Sequence, residues 1–336
     1  MTLAVLGMGL VSPFGRSPRE HALFRRARVP GPSASPFLDA EDAPVRAHAC
    51  PFLDAAMPIA DRMIALAETA LDAAIAPLHE AGLPSPTLTV GLARERPGLD
   101  AGAAQTVTRA LGARSPGAPP SAVWGEAGVF TALQQASREI ARDGSRAVAV
   151  VAVDSYISLP FITHHVKHPP TRWESEGPYP SEAAAALVVA SPRLAANLGV
   201  PVLATLHKSA TARGASNDDN DELVDGIAMV AALRELGDDS VRFAFGQQGV
   251  DALRREEWSR ATARNAVRFW ECENVCAESF LGRVGASAGA VSLVYGMAML
   301  RHGCADDLPR GAMPMLAWAV SRDGTRGAAS ATVDAP

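Results

Sequence analysis

The sequence of 336 residues is poor in cysteine, and its four cysteines do not form a metal-binding pattern. Cys272 and Cys276 make one C-x3-C pair, with neither a second pair nor a histidine cluster beside it. Structural zinc sites usually combine two closely spaced pairs of ligands. We therefore expect no metal site, and we interpret these two thiols, together with Cys50 and Cys304, as buried and reduced.

An excess of positive charge is also lacking. Lysine and arginine total 31 against 36 aspartates and glutamates, which gives a formal net charge of -5. This balance provides no electrostatic basis for binding nucleic acid or an anionic membrane surface. The most apolar internal segments, Ala147–Val153 and Val291–Leu300, are too short to span a bilayer, and the chain starts without the basic lead of a signal peptide. We expect a cytoplasmic protein.

Strand and helix patterns alternate along most of the chain, which predicts an α/β fold dominated by parallel strands. Strands are predicted at Leu3–Leu6, Leu88–Ala93, Ala147–Val153, Ala183–Val189, Val202–Leu206 and Val241–Phe245, and as two strands around a turn in Met315–Val333. Helices are predicted from Asp61 to a stop at Gly82, and at Glu126–Asp143, Glu222–Glu235 and Val250–Arg264. The stretches Ala113–Ser121, Thr163–Pro180, Pro192–Gly199 and Asn217–Asp221 are interpreted as loops or linkers.

This succession of elements divides the chain into two comparable halves, residues 1–198 and 199–336. Each half starts with a strand and ends in an antiparallel pair of strands. The pattern indicates an internal duplication, although no literal sequence repeat is visible.

One segment, FLGRVGASAGAVSLVYGMAML (Phe280–Leu300), concentrates small residues in front of a fully apolar run. Glycine inside a helix costs about 1 kcal/mol relative to alanine. So many small residues therefore indicate a helix whose backbone is closely approached by another part of the molecule. Arg283 is the one charged residue of the segment.

Several stretches, each weak alone, together resemble β-ketoacyl synthases of the thiolase superfamily and keep that family's order. VLGMGLVSPFG (Val5–Gly15) is similar to the opening strand and turn, and DRMIALAETALDAA (Asp61–Ala74) to the first long helix. GEAGVFTALQQASREIARDGSRAVAVVAVDS (Gly125–Ser155) resembles the nucleophile helix with its following strand, and PSEAAAALVV (Pro180–Val189) the G-E-G-A strand. The resemblance implies a thiolase-like five-layer αβαβα fold with two duplicated βαβαβαββ halves, usually dimeric.

The positions that match the family's catalytic residues carry different side chains. The resemblance places Glu126 where the family has its nucleophilic cysteine at a helix start, Phe245 and Arg283 at its two histidines, and Glu278 at its lysine. Phenylalanine cannot donate a hydrogen bond, and glutamate forms no thioester under ordinary conditions. Because loss of single members of such a set already costs orders of magnitude in rate, we expect no catalytic residues and no cofactor.

An alignment error of a few residues that hides a working site remains as an alternative. No cysteine lies near Gly125–Gly128, however, and only His207 and His302 follow Gly199. We expect instead that Glu126, Glu278 and Arg283 converge as a buried ion-pair cluster that fills the former active site.

Two classes of function follow from the resemblance. The first is a catalytically inactive protein that binds another protein, as an accessory or adaptor for a type VI secretion effector or spike component. The run Val153–Tyr156 and the D-G-x-R-G-A stretch Asp323–Ala328 are similar to thiolase-like accessory proteins of that system. The alternative is an acyl-ACP-processing enzyme with Glu126 as a base, or a chain-length-factor-like partner of an active ketosynthase in fatty acid or polyketide synthesis. A homodimer or heterodimer is compatible with both.

The shortened stretch between Gly91 and Glu126, and the closing loop SRDGTRGAA (Ser321–Ala329), both argue against an acyl tunnel.

Three further motifs are better explained by structure than by ligand binding. GMGLVS lacks the third glycine of a dinucleotide fingerprint and is interpreted as a strand-end turn. HHVKHPP (His164–Pro170) is interpreted as a polar surface loop, with a metal cluster as the alternative. NDDND (Asn217–Asp221) lacks the glycine and terminal glutamate of a calcium loop.

Overall fold

The computed structural model describes residues 1–27, 37–38, 42, 44–115, 119–167, 179–215, 225–249, 251–303 and 311–335. In the N-terminal part of the chain the elements are β1 (Leu3–Val11), α1 (Pro18–Arg26), α2 (Ile59–Glu80), β2 (Thr87–Leu92), α3 (Ala101–Gly112), β3 (Ser121–Trp124), α4 (Gly128–Arg142), β4 (Ala147–Ser155), α5 (Leu159–Lys167), β5 (Glu182–Ala190) and α6 (Pro192–Leu198). In the C-terminal part they are β6 (Ala204–Arg213), α7 (Ile227–Glu235), β7 (Phe243–Phe245), α8 (Ala252–Ala263), β8 (Glu273–Val275), α9 (Glu278–Leu281), α10 (Ala288–Arg301), β9 (Gly311–Val320) and β10 (Thr325–Ala335).

The ten strands follow the order β3-β2-β4-β5-β1-β6-β10-β9-β7-β8, with β1 and β6 joined at the centre. Counted outward from this seam, each set of five strands has its first, fifth, fourth, second and third member in turn. The directions also repeat, because the two pairings nearest the seam are antiparallel and the two outer pairings are parallel in both sets. The expected duplicated βαβαβαββ topology is therefore confirmed. The predicted dominance of parallel strands is wrong, because five of the nine pairings among the described strands are antiparallel.

The seam itself is short. β1 and β6 share three antiparallel residue pairs, Leu3 with Leu206, Ala4 with Thr205 and Val5 with Ala204. Beyond them the two sets of strands separate and enclose α4 and α10, each of which contacts strands of both sets. The predicted boundary between residues 198 and 199 lies between α6 and β6 and stays a prediction.

Helices complete the five layers that the resemblance implies. α2 and α3 cover the outer face of the N-terminal strands, and α7 and α8 cover the outer face of the C-terminal strands. Three buried apolar clusters fill the spaces between these layers, one around the central helices and one under each outer helix layer. The strands β4 and β5 are continuous apolar runs because both of their faces are covered.

The central layer explains the small residues of Phe280–Leu300. α10 is buried on all sides from Ala288 to Leu300, as its uniformly apolar sequence requires. A methyl group on Gly289 would lie 2.5 Å from the carbonyl oxygen of Glu126, and the Gly289 amide donates a hydrogen bond to that oxygen at 3.1 Å. The close approach predicted for this segment is confirmed, and the approaching element is the start of α4.

The segment is not one helix, however. α9 ends at Leu281, Gly282 takes a φ of 86°, and a 3-10 turn at Gly285–Ser287 precedes α10. Gly285 also has a positive φ, and a side chain there would meet the Asp154 carboxylate at 2.0 Å. The first glycines therefore serve a turn, and only the later ones serve helix packing.

Most other predicted elements are confirmed, although β1 continues to Val11 and β6 to Arg213, well beyond their expected ends at Leu6 and Leu206. Two predicted loops are wrong. The predicted loop Thr163–Pro180 is wrong at its start, because α5 continues to Lys167. The predicted linker Pro192–Gly199 is wrong because it forms α6, with Ser191 as its N-cap and Gly199 as its left-handed C-cap. The structure adds α1, α3, β3 and β8, for which no element was predicted.

Two expectations fall wholly or partly outside the described residues. NDDND is one of them, and the helix expected at Glu222–Glu235 is described only from Ile227. In the part of the chain that is described, no helix combines the length and apolar character that a membrane span needs.

We expect Gly289→Ala to destabilise the protein by about 1–3 kcal/mol, although alanine is the better helix former. The added methyl group would meet a backbone oxygen, which cannot rotate away as a flexible side chain would. The midpoint of urea unfolding measures the effect. Gly144→Ala is the matched control, because its nearest neighbour would be the Ser191 hydroxyl at 3.9 Å. Equal stability of both variants would contradict the packing argument.

Candidate functional site

The candidate site lies at the start of α4, where the chain leaves the edge strand β3. Gly125 makes this turn with a φ of 77°, and a side chain there would meet the Ser321 hydroxyl at 2.7 Å. The same hydroxyl accepts a hydrogen bond from the Ala127 amide at 2.8 Å. The loop after β9 is thus hydrogen-bonded directly to the start of α4.

Glu126, at the position matching the family's cysteine, is buried and ion-paired. Its Oε1 lies 3.1 Å from Nη2 of Arg254, which is on α8. Arg254 also contacts Asp251 through Nη1, and its backbone amide donates to Asp251 Oδ1 at 2.8 Å. Asp251 is the N-cap of α8, so one aspartate both caps the helix and pairs with the arginine one turn later. Arg254 bridges two acids.

The opposite charges in this bridge stabilise one another. Burial alone would raise the pKa of the Asp251 carboxyl, but the Arg254 charge and backbone hydrogen bond, with Arg283, hold that pKa below its usual value. The pKa of Arg254 is raised despite its burial, because Asp251, Glu126 and Glu278 surround it. These contacts favour the charged forms of Asp251 and of Arg254.

Glu278, at the position matching the family's lysine, belongs to the same cluster through a different contact. Its Oε2 accepts a hydrogen bond from Gln247 Nε2 at 3.0 Å, and its Oε1 accepts one from the Val284 amide at 3.0 Å. Burial raises the pKa of Glu278, against the opposing effects of the Val284 amide and Arg254. Gln247 in turn accepts from the Val320 amide at 2.8 Å, which ties Glu278 to the end of β9.

Arg283, at the position of the second histidine, is held mainly by its backbone. Its amide donates to the Tyr179 carbonyl at 2.7 Å, and its carbonyl accepts from the Ser181 amide at 3.0 Å. The guanidinium Nη2 of Arg283 lies 3.6 Å from Asp251 Oδ2. This nitrogen donates no hydrogen bond to any of the described residues. The arginine that lies between two acids is therefore Arg254, which contacts Glu126 and Asp251. The sequence had predicted Arg283 for this position.

Phe245, at the position of the first histidine, is not part of this cluster. It ends β7 with its ring in the central apolar core, 6.4 Å between centroids from Tyr295. Gly296 lies against it so closely that a side chain there would meet the Phe245 ring at 2.6 Å. The structure thus brings Glu126, Glu278 and Arg283 together and assigns Phe245 to packing.

A cavity of about 350 Å³ remains beside the cluster, and Glu126, Arg283 and Ser321 form part of its wall. On its far side Arg96 pairs with Asp154 at 2.6 Å and lies over the Tyr156 ring, 4.3 Å from its centroid. The other carboxylate oxygen of Asp154 accepts from the Ala286 amide at 2.9 Å. Three of the acids in this wall, Glu126, Asp154 and Asp323, already have partners from the chain itself.

His164 also contributes to the wall of this cavity. The sequence had suggested a polar surface loop for His164–Pro170, but His164 is on α5, and residues 168–170 lie outside the described part. Throughout the described residues, no group of three or more histidine, cysteine, aspartate or glutamate side chains is arranged to hold a metal ion. Cys50 is buried, whereas Cys272 and Cys276 are only partly buried and Cys304 is not described.

Sequence reasoning missed Arg254, Asp251 and Gln247. Asp251 had a local signal, because an aspartate directly before the first turn of a helix is a typical N-cap. Nothing local indicates that Arg254 reaches Glu126, since 128 residues separate the two. On the same helix, Glu256 and Arg260 form an i,i+4 ion pair on the surface.

The comparisons with known proteins agree with this architecture at low sequence identity. No family model matches the sequence, and no curated protein matches it. Among solved structures, the ishigamide ketosynthase/chain length factor superposes with a TM-score of 0.72 at 20% identity, over 99% of this chain and 100% of that chain.

Two further solved structures are similar. The ketosynthase from module 6 of the bacillaene synthase of Bacillus subtilis 168 has a TM-score of 0.74 at 11% identity, over 99% of this chain and 72% of that chain. A chain from a type II PKS acyl-carrier protein in complex with its ketosynthase, bound to the hexaketide, has a TM-score of 0.67 at 14% identity, over 99% of both chains. At these identities the likeness concerns architecture: the chain has the thiolase-like fold of ketosynthases. That Glu126, Phe245, Glu278 and Arg283 occupy the family's catalytic positions stays a prediction from the sequence.

Proposed function

We propose that this chain is a non-condensing partner subunit of a ketosynthase, in the manner of a chain length factor. The observation that carries the proposal is the Arg254 bridge at the start of α4. Where a condensing enzyme needs a free nucleophile, Glu126 is engaged in an ion pair and its neighbours are Gly125, Ala127 and Gly128. For Glu126 to act as a base, its carboxylate would have to give up the contact with Arg254.

An unpaired sheet edge supports the assignment of a protein partner. β3 is the last strand at one end of the sheet and pairs with β2 alone among the described strands. Three of its four residues are exposed, including Trp124, and unpaired backbone groups on such an edge are a ready template for another strand. A groove of about 1390 Å³ runs beside β3, with α3 and Trp124 in its wall.

The structural relatives favour a ketosynthase as that partner over a secretion component. One is described as a ketosynthase/chain length factor, and it matches this chain over nearly the full length of both. Another is a ketosynthase complex that includes an acyl-carrier protein. The type VI secretion role rests on the sequence stretches alone and stays a prediction, which the binding experiment below distinguishes.

We expect no turnover when the purified protein is incubated with malonyl-ACP and acyl-ACP. Carbon dioxide release, acyl transfer and a covalent adduct, followed by mass spectrometry, should all stay at the level of the buffer control. Glu126→Gln is the matched variant and should behave identically. Turnover that Glu126→Gln abolishes would overturn the non-condensing assignment and favour an acyl-processing enzyme.

We expect Arg254→Ala to lower the free energy of unfolding by about 3–5 kcal/mol, because Glu126 and Asp251 would both remain buried without their partner. Glu126→Ala should also destabilise, and the double variant should lose less than the sum of the two single losses. Arg283→Ala should cost less, since its ion pair with Asp251 is 3.6 Å long. Urea denaturation measures all four.

The exposed ion pair of Arg146 with Asp143 provides the control for these variants, and Arg146→Ala should change little. Single variants at Glu126 and Arg254 that unfold like the wild type would show that the cluster has no structural role.

We expect Trp124→Glu to abolish a heterodimer between this chain and the ketosynthase encoded nearest to its gene. A charge at the exposed C-terminal end of β3 would be buried without a partner on association. Co-expression followed by size-exclusion chromatography with light scattering measures the complex. Trp270→Glu is the matched control, because Trp270 is 83% exposed near the opposite edge of the sheet. Recovery of a secretion effector in place of the ketosynthase, or equal effects of both variants, would contradict the proposal.

A further inference from the structure

A separate cavity lies at the seam of the sheet, away from the cluster and from the β3 groove. Its volume is about 250 Å³, and α4 and β6 supply most of its wall. β6 pairs with β1 only as far as Leu206, and beyond this residue the same edge of β6 has α4 beside it. The cavity therefore occupies the space where the two sets of strands separate. We call it the seam cavity and define it by Leu133, Ser137, Arg138, Leu206, His207 and Lys208.

A β-bulge in β6 shapes one side of the seam cavity. In the pairing with β10, Leu206 is opposite Ala331. The next pair is Lys208 with Ser330, so His207 is an extra residue with no residue opposite it. In a regular strand adjacent side chains point to opposite faces, whereas here Leu206, His207 and Lys208 all contribute to one wall. Bulges are frequent next to functional sites, because they redirect a side chain.

The formal charges in this wall are all positive. Arg138 and Lys208 line the seam cavity, and no aspartate or glutamate among the described residues does so. Both side chains are exposed, and within the described part of the chain neither forms an ion pair or a side-chain hydrogen bond. On a chain with a net charge of -5, two cations in a wall without a carboxylate are a local exception. Such a wall attracts an anion.

Most of the neutral polar side chains of the wall are engaged by the protein itself. Gln134 Nε2 donates to the Ser209 carbonyl at 3.2 Å, and Gln134 Oε1 accepts from the Thr211 hydroxyl at 3.2 Å. The Ser209 hydroxyl donates to the Phe130 carbonyl at 2.9 Å. These bonds tie β6 to α4 along the cavity. The Ser137 hydroxyl makes no such bond to the residues that the structure describes, so it is available to a ligand together with the two cations.

We propose that the seam cavity binds the phosphate group of a small organic phosphomonoester. The planar guanidinium of Arg138 can donate two parallel hydrogen bonds to phosphate oxygens, and Lys208 supplies a compact second charge. The Ser137 hydroxyl, next to Arg138 in the chain, is a third donor. A phosphomonoester carries a charge of about -1.5 to -2 at neutral pH, which balances the two positive side chains.

The volume and the apolar part of the wall favour an ester over free phosphate. Three buried leucines line the cavity beside the polar groups, namely Leu3, Leu133 and Leu206. A bare phosphate ion would leave these side chains without a contact, whereas a short carbon chain on the phosphate would cover them. Pockets for drug-sized ligands have about 300–1,000 Å³, so a cavity of about 250 Å³ suits a smaller molecule.

This binding is independent of the proposed heterodimer. Among the described residues, the seam cavity shares no lining residue with the cavity beside Glu126 or with the β3 groove. Variants in the seam cavity should therefore leave the complex with a ketosynthase intact, and Trp124→Glu should leave phosphate binding intact.

Isothermal titration calorimetry of the full chain with glycerol 3-phosphate at low ionic strength tests the proposal. We expect saturable one-to-one binding, and Arg138→Gln and Lys208→Gln should each weaken the affinity roughly tenfold. Arg142→Gln is the matched control, because Arg142 is an exposed arginine one turn further along α4 that does not line the cavity. All three positions are exposed, so the thermal unfolding midpoint without ligand should be unchanged and should verify that the variants fold.

A comparison of ligands identifies the source of the phosphate group. Inorganic phosphate should bind several-fold more weakly than glycerol 3-phosphate, and glycerol should not bind. Inorganic phosphate that binds as tightly as the ester, with the same dependence on Arg138 and Lys208, would assign the cavity to free phosphate and overturn the ester. No saturable binding of either phosphate compound would overturn the site itself. So would a loss of affinity in Arg142→Gln equal to that in Arg138→Gln.

Discussion

The hydrogen bond from the Gly289 amide to the Glu126 carbonyl sets the spacing of the whole central layer. It exists because position 289 has no side chain, so the starts of α4 and α10 approach to backbone contact. The close approach positions the Glu126 side chain just before α4. It also positions the 3-10 turn before α10, whose Ala286 amide donates a hydrogen bond to Asp154. The close packing of the two helix starts therefore positions the polar groups of the candidate site.

Around this layer, buried arginine–carboxylate contacts connect elements that are distant in the chain. They are Arg62 with Glu182, Arg96 with Asp154, Arg254 with Glu126 and Arg326 with Glu257. The first of these is fully buried on both sides and links α2 to β5. Such pairs add little net stability over an apolar contact, but loss of one partner leaves a buried charge. Two of them, Arg62 with Glu182 and Arg326 with Glu257, join an outer helix to a strand of the sheet.

The sequence predicts the core strands of this fold better than its edge strands. β4 and β5 were predictable because a strand covered on both faces must be continuously apolar. β3 and β8 were not, because both are short edge strands whose residues are largely exposed and carry no apolar alternation. α1 was missed for a similar reason, since only His21 and Ala22 point into the protein. At the candidate site, the resemblance to the family was enough to single out Glu126 and Glu278. Arg254 could be recognised only from the structure, in which α8 lies beside the start of α4.

The double role of Arg254 makes the residues of the cluster depend on one another. Replacing Glu126 by a thiol would remove one of the two acids that Arg254 contacts, while Asp251 would still be needed as the N-cap of α8 and the Val320 carbonyl would stay 3.3 Å from Nη2. The guanidinium would then lie against a group that carries no negative charge at neutral pH unless its pKa is lowered. A substitution at position 126 therefore also changes the surroundings of Arg254, and through Asp251 it reaches the first turn of α8.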